Sequence, residues 1–224
     1  MRIIAGEFRG RKLLPPEGEV TRPITDRVKQ SLFDVLSPRM ENARVYDCFA
    51  GTGSMGLECL SRGAEHVTFF ETHRSAVDRL KQNIQALGMR ERTTVIGKDL
   101  FRWFAQTRQV KPPMDGGIVC EFPTEPGRAA PDRADTARLS NSNSTQYGVV
   151  DLIFLDPPYR FLRERPQELQ SVASSIARGH LARDGLVIFR HDAADTLALE
   201  PLKVVDVRSY GSMTLEFLNF TISP

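Results

Sequence analysis

Between residues 44 and 97 short apolar runs alternate with stretches whose apolar positions recur every three or four residues. That spacing predicts a strand over 44–48, a helix over 54–62, a strand over 66–71, a helix over 73–87 and a strand over 93–97. Alternation of this kind requires a parallel sheet with helices packed on its faces. The pattern resumes at Val149, with a strand over 150–155, a helix over about 164–178 and a strand over 185–190. Two further strands, 202–208 and 212–220, surround Tyr210-Gly211 and read as an antiparallel hairpin that closes a seven-stranded sheet. Ahead of the alternation, Met1–Gly6 and Arg11–Leu14 flank Glu-Phe-Arg-Gly and suit a small basic hairpin. Thr25-Asp26 then opens a helix across Arg27–Leu36, with apolar residues at 28, 32, 35 and 36, stopped near Pro38. The expected fold class is therefore α/β, Rossmann-like, with an antiparallel final strand and a small N-terminal hairpin and helix over residues 1–38.

Residues 106–148 interrupt this order. They hold five of the fourteen prolines, end on the polar run Ser140-Asn-Ser-Asn-Ser-Thr145, and balance five Lys/Arg against five Asp/Glu. A compact domain seldom needs so long a structureless connection, so the stretch reads as a disordered insertion in one domain spanning 1–224. At 41% hydrophobic and 26% charged, the composition is that of a folded, water-soluble body. The apolar runs are far shorter than the ~20 residues a membrane span needs, and the amino terminus has no secretion-signal core. A cytoplasmic monomer is expected. Cys48, Cys59 and Cys120 lack metal-ligand spacing, and no metal site is expected. A net charge of +2 does not announce nucleic acid, although Arg2, Arg9, Arg11 and Lys12 cluster near the start and Arg160, Arg163 and Arg165 follow a candidate catalytic loop. Both clusters suit phosphate contact or a solvated face equally well.

The chemistry collects at strand ends. Val45–Gly56 places Gly51, Gly53 and Gly56 between a strand and a helix, where backbone approaches a ligand closely and amide groups point outward. Dinucleotide-binding folds share this glycine spacing, but Asp47, four residues earlier, would repel a pyrophosphate. A carboxylate there suits the ammonium end of a nucleoside that carries an amino acid, reached through water. Glu71 ends the second strand, twenty residues after Gly51, where a carboxylate can take both hydroxyls of a ribose. Asp99 follows the third strand and suits either an adenine amino group or the cap of a helix beginning at Leu100. Asp156-Pro157-Pro158-Tyr159 ends an apolar strand. Two prolines stiffen the turn and remove two N–H donors, so carbonyl oxygens are left to face inward. A planar amine can donate to Asp156 and the Pro157 carbonyl while Tyr159 stacks on its ring, which turns the nitrogen lone pair toward an electrophilic methyl.

Four segments together, Thr21–Lys29, Asp47–Glu58, Asp156–Tyr159 and Tyr210-Gly211, resemble the RsmD-type 16S rRNA guanine-N2-methyltransferases, over nearly the whole chain outside the insertion. That resemblance implies the seven-stranded methyltransferase sheet and a bound S-adenosylmethionine. It implies a guanine(966)-N2-type reaction near the ribosomal P site, on 16S rRNA or an assembling small subunit. Asp47, Gly51 and Gly53, with Phe49, Ala50 and Thr52 beside them, would line the methionine part, Glu71 the ribose, and Asp99 with Leu100 the adenine. Asp156, Pro157, Pro158 and Tyr159 would hold the guanine. Arg9, Arg11, Arg22, Thr25, Arg27 and Arg163 are candidates for RNA contact, with Arg22, Thr25 and Arg27 equally suited to the cofactor or to a capped helix start. The insertion separates Asp99 from Asp156 by more than the family pattern does. Competing readings are a DNA adenine-N6 methyltransferase, for which the chain has no recognition domain; a catalytically idle RNA-binding or assembly module, against which Asp156 stands; and a nicotinamide-dependent dehydrogenase, against which Asp47 stands.

Overall fold

The computed structural model describes residues 1–16, 24–107 and 148–220. Arg22, Cys120 and all but the two ends of the 106–148 insertion lie outside them. Seven strands form one sheet: β1 (Arg44–Cys48), β2 (His66–Phe70), β3 (Thr93–Ile96), β4 (Val150–Leu155), β5 (Leu181–Asp192), β6 (Lys203–Tyr210) and β7 (Met213–Asn219), in the order β3-β2-β1-β4-β5-β7-β6. The first five run parallel, and β7 pairs antiparallel with both β5 and β6. The chain therefore winds outward from β1 to β3, crosses back, and winds the other way from β4. The carboxyl ends of β1 and β4 meet at that reversal, where open sheets of this kind bind ligands.

Side-chain alternation along the buried strands splits the apolar residues into two cores. Val45, Phe69, Phe154 and Ile188 join the helices α1 (Asp26–Leu36), α2 (Ser54–Ser61) and α3 (Arg74–Leu87) on one face. Tyr46, Cys48, Phe70, Leu155 and Phe189 join α4 (Leu100–Gln106), α5 (Phe161–Glu164) and α6 (Pro166–Gly179) on the other. Cys48 and Cys59 are buried thiols within these cores.

Three boundaries depart from the sequence pattern. The helix expected over 164–178 is two, because Pro166 drives Arg165 out of the helical region (φ −135°, ψ 41°). β5 begins at Leu181, four residues early, since exposed Arg183 and Asp184 hide the alternation and its register with β4 shifts between Val150 and Leu152. The N-terminal hairpin has a single bridge, Arg2 to Lys12, flanked by Ile3 N donating to Arg11 O at 3.0 Å and Leu13 N to Met1 O at 3.1 Å.

That hairpin is held by the body of the protein more than by itself. Ile3 and Leu13 are buried, and the Ile4 and Ala5 amides donate to the Glu58 carboxylate at 2.8 and 3.0 Å. Gly6 (φ 82°) lies so close that a Cβ would stand 1.8 Å from the Ser61 carbonyl oxygen. Glu58 is buried on α2 and pairs with buried Lys29 of α1 at 2.9 Å and with Arg62 at 2.8 Å. Burial acts to raise the Glu58 pKa, but Lys29, the amides and Arg62 outweigh it and hold the carboxyl below its usual range. Desolvation lowers the Lys29 ammonium from its usual value against the pull of Glu58. The Lys29 Nζ also donates to Arg2 O and Ser54 Oγ, at 3.3 and 3.2 Å, so hairpin, α1 and the start of α2 share one buried charge.

Candidate active site

β1 leaves the sheet at Cys48, and the turn that follows uses the left-handed region at Phe49 (φ 62°), Gly51 (φ 55°) and Gly53 (φ 86°). At Gly53 only hydrogen fits: a Cβ would meet Leu80 Cδ1 at 2.3 Å. Nothing lies within 4 Å of where a Gly51 Cβ would stand, so its backbone borders open space at the sheet edge. The register pairs Cys48 with Phe70, which brings Glu71 beside this turn. Glu71 Oε2 accepts from Gly51 N, and Oε1 accepts from the Thr72 and His73 amides, all at 2.8 Å. Asp47 lies beneath the turn, buried, with Oδ2 accepting from Gly56 N at 2.8 Å. Asn83 of α3 fixes the loop from the far side, donating to Thr52 O at 3.0 Å and accepting from Leu14 N at 2.8 Å. Asp47, Phe49, Ala50, Gly51, Thr52, Gly53 and Glu71 thus meet around one turn.

Its electrostatics oppose the ionisation of Asp47. Burial first, then the Asp156 and Glu71 charges, push the Asp47 carboxyl from 3.8 up to about 8, against the Gly56 amide and Lys29. A buried carboxyl group beneath a turn whose Gly51 borders open space fits a group bearing an ammonium or sulfonium. Two acidic strand ends flanking a glycine turn also fit the ribose of a nucleoside. The residues present therefore suit S-adenosylmethionine, with Asp47 toward its positive end and Glu71 toward its sugar.

At the end of β3 Asp99 caps α4, with Oδ1 accepting from Arg102 N at 3.0 Å, and Leu100 is buried in the second core. Unforeseen from the pattern is an aromatic triangle of Phe49, Phe101 and Phe161, with ring centroids 5.9 to 6.0 Å apart. Arg165 stacks over Phe101 at 4.0 Å and reaches Asp99 at 3.9 Å. The segment after the Asp-Pro-Pro-Tyr turn is in this way joined to the end of β3.

Parallel pairing sets Cys48 opposite Leu155, so Asp156 stands next to the glycine turn, with its amide 3.5 Å from Cys48 O. The turn is less open than its prolines suggested. Pro158 O accepts from Phe161 N at 2.7 Å and Tyr159 O from Leu162 N at 3.2 Å, because both carbonyls start α5. Two of the carbonyls that the prolines were expected to leave facing inward are thus taken up by the helix start. Asp156 also has a partner that motif reading missed: Arg190, whose Nε lies 2.7 Å from Asp156 Oδ1. Leu155 pairs with Phe189 in the parallel register, so Asp156 and Arg190 are the next residues along β4 and β5. A lone arginine closing the apolar run Leu186–Phe189 was its signal in the sequence. Burial raises the Asp156 carboxyl above its usual pKa, with Arg190 opposing.

The basic candidates do not share one surface. α2 runs away from the glycine turn, and the hairpin tip bonds to its far end, through Glu7 N to Ser61 O at 2.7 Å and Phe8 N to Ser61 Oγ at 3.0 Å. Exposed Arg9 belongs to that tip, and Arg11 donates to Ala86 O near the end of α3 at 2.8 Å. Exposed Arg163 follows the Asp-Pro-Pro-Tyr turn and pairs with Asp195 at 2.8 Å. Thr25 caps α1, with Oγ1 accepting from Val28 N at 3.4 Å, and Arg27 next to it is exposed. Tyr210 anchors the same helix, its hydroxyl 2.8 Å from Ser31 Oγ.

Residues 1–118 and 125–219 match the family model described as conserved hypothetical protein 95. YlbH of Bacillus subtilis is 29% identical over 193 residues, 86% of this chain and 83% of that protein. Ribosomal RNA small subunit methyltransferase D of Haemophilus influenzae is 48% identical over 87 residues, 39% of this chain and 45% of that one. Among solved structures, yhhF of Escherichia coli superposes with a TM-score of 0.70 at 25% identity, covering 98% of both chains.

Proposed function

The chain belongs to the conserved hypothetical protein 95 family, the RsmD family that its motifs resemble, and from that premise we propose that it methylates the N2 amine of a guanine in small-subunit ribosomal RNA. It is an S-adenosylmethionine-dependent rRNA methyltransferase; the guanine, its N2 atom and the small-subunit setting are the proposal. The observation that carries the reading is the meeting of Asp156 with the Asp47, Gly51 and Glu71 turn at the reversal of strand order. One edge thus offers a cradle for a positively charged nucleoside and, beside it, acceptors for a planar amine.

When bound, S-adenosylmethionine supplies an electrophilic methyl group. The protein's part is placement and charge. Asp47 and the Gly51 turn would hold the positive end, and Glu71, whose position is set by three amides, would orient the sugar. An amine conjugated to a purine is a weak nucleophile because its lone pair is delocalised into the ring. Asp156 and the Pro157 carbonyl accept its two N–H groups, and Tyr159 lies along the ring, so the lone pair is turned toward the methyl. Exchange of the sulfur–carbon bond for a nitrogen–carbon bond would leave the nitrogen positive, a charge the Asp156 carboxylate would stabilise until the proton passes to water.

Incubation with labelled S-adenosylmethionine and undermethylated small-subunit particles, followed by mapping of the labelled nucleotide, tests the assignment. Label on a guanine N2 of the small-subunit RNA is expected. Label on an adenine amine, or only on DNA, would refute it.

A further inference from the structure

We propose that Arg190 is a positioning residue for the methyl-transfer step, holding the Asp156 side chain as an ionised acceptor aimed at the target amine. The inference rests on the reading of Asp156 given above and extends it to a residue outside every motif that carries the family resemblance.

The geometry leaves Arg190 little other purpose. It lies at the carboxyl end of β5, the position next to Asp156 across the β4–β5 register, and its Nε is 2.7 Å from Asp156 Oδ1. Its guanidinium carbon is also 5.9 Å from the centre of the Tyr159 ring. One planar cation therefore contacts both side chains that would hold the target base. With side chains 14% and 25% exposed, neither member of the pair is a freely solvated surface group. A paired surface arginine would contribute little; a desolvated one beside a reacting carboxylate sets the state of that carboxylate.

Three influences act on Asp156. Burial favours the protonated acid, and Asp47 on the neighbouring strand, when ionised, favours it too; the Arg190 cation opposes both. Glu71 on β2 and Lys29 on α1 act one step away, through Asp47. The distinction matters because a protonated Asp156 spends one oxygen as a donor. It would then offer an amine N–H a weaker acceptor and leave the developing positive nitrogen without a counter-charge.

The test is the pH dependence of single-turnover methyl transfer to undermethylated small-subunit particles, at saturating cofactor and RNA. The full-length chain is compared with Arg190→Met, Arg190→Lys and Asp156→Asn. Loss of a neighbouring guanidinium typically raises a carboxyl pKa by about one to three units. The acid limb of the Arg190→Met profile is therefore expected to move up by that amount, while Arg190→Lys restores it toward wild type. A purely structural defect would lower the rate at every pH without moving the limb. Affinity for S-adenosylhomocysteine, measured by calorimetry, is expected to stay within twofold in the Arg190 variants, which also shows that they fold. Should Arg190→Met not fold, Arg190→Gln keeps hydrogen-bonding capacity without charge and reads the same shift. An acid limb that coincides with wild type in the uncharged variant overturns the role of Arg190. A wild-type profile in Asp156→Asn instead overturns the catalytic reading of Asp156 itself, and the role of Arg190 with it.

Discussion

Replacing Asp47 with Asn should make the free protein more stable at neutral pH while weakening its hold on S-adenosylmethionine. The side chain is 2% exposed, and its folded pKa is about 8 against 3.8 in an unfolded chain. Below pH 4 the carboxyl is protonated in both states and costs nothing. As pH rises from about 4 to about 8, the unfolded chain releases its proton and the folded one does not, so folding stability is lost across that window. At about 1.4 kcal/mol per pH unit, the loss reaches roughly 4 kcal/mol by pH 7. Asn has no charge to desolvate, and its Oδ1 can still accept from Gly56 N. Its amide needs a new partner, at a cost of about 1–2 kcal/mol. The net gain is then about 2–3 kcal/mol at pH 7, which for a chain of this size raises Tm by roughly 5–10 °C. Denaturant unfolding from pH 4 to pH 8 measures the slope, which should flatten in the variant. Calorimetry with S-adenosylhomocysteine in two buffers of different ionisation heat measures the other half: wild type should release a proton on binding near pH 7, and the variant should not. An Asp47→Asn protein that is less stable than wild type at pH 7.5, or one that keeps the full pH slope, would refute the reasoning.

Asp156→Ala should lower single-turnover methyl transfer by about 10² to 10³, with cofactor affinity unchanged; a wild-type rate, or a defect confined to cofactor binding, counts against a catalytic Asp156. Lys29→Met leaves the Glu58 carboxylate buried without its nearest cation, and breaking such a pair costs about 3–5 kcal/mol; denaturant unfolding at pH 7 should show it, together with early proteolysis of the N-terminal hairpin. We expect the 106–148 insertion to lie outside the folding unit. Replacing residues 111–146 with a short Gly/Ser joint should therefore preserve Tm and cofactor affinity, whereas a collapse of Tm would make the segment structural.

Periodicity along the chain determined the seven strands, the helices α1, α2 and α3 and the glycine turn between β1 and α2. The physical reason is local: a strand buried on both faces must be apolar throughout, and a glycine turn ahead of a helix must be spelled out in consecutive residues. The glycine turn was readable for the same reason, since Asp47 through Gly56 is one uninterrupted stretch. Glu71 needed the β1–β2 register to become the acceptor for Gly51 N. Boundaries set by competition, such as the break at Arg165 before Pro166, were less legible because the apolar spacing of α6 runs on across it.

Only tertiary structure decided what depends on residues far apart in sequence. Lys29 and Glu58 belong to segments whose motifs were visible, but their shared burial, with the hairpin amides as further donors, follows from how α1 packs on α2. Arg190 is 34 positions from Asp156 and became its partner through the pairing of β4 with β5. The basic hairpin and the arginines after the Asp-Pro-Pro-Tyr turn were both candidates for RNA contact on sequence alone, and the direction of α2 carries the hairpin tip to the far end of that helix. Charge on a sequence has no direction; a strand register and a helix axis supply one, which is why the Asp156 carboxylate could be singled out from the chain and its partner Arg190 could not.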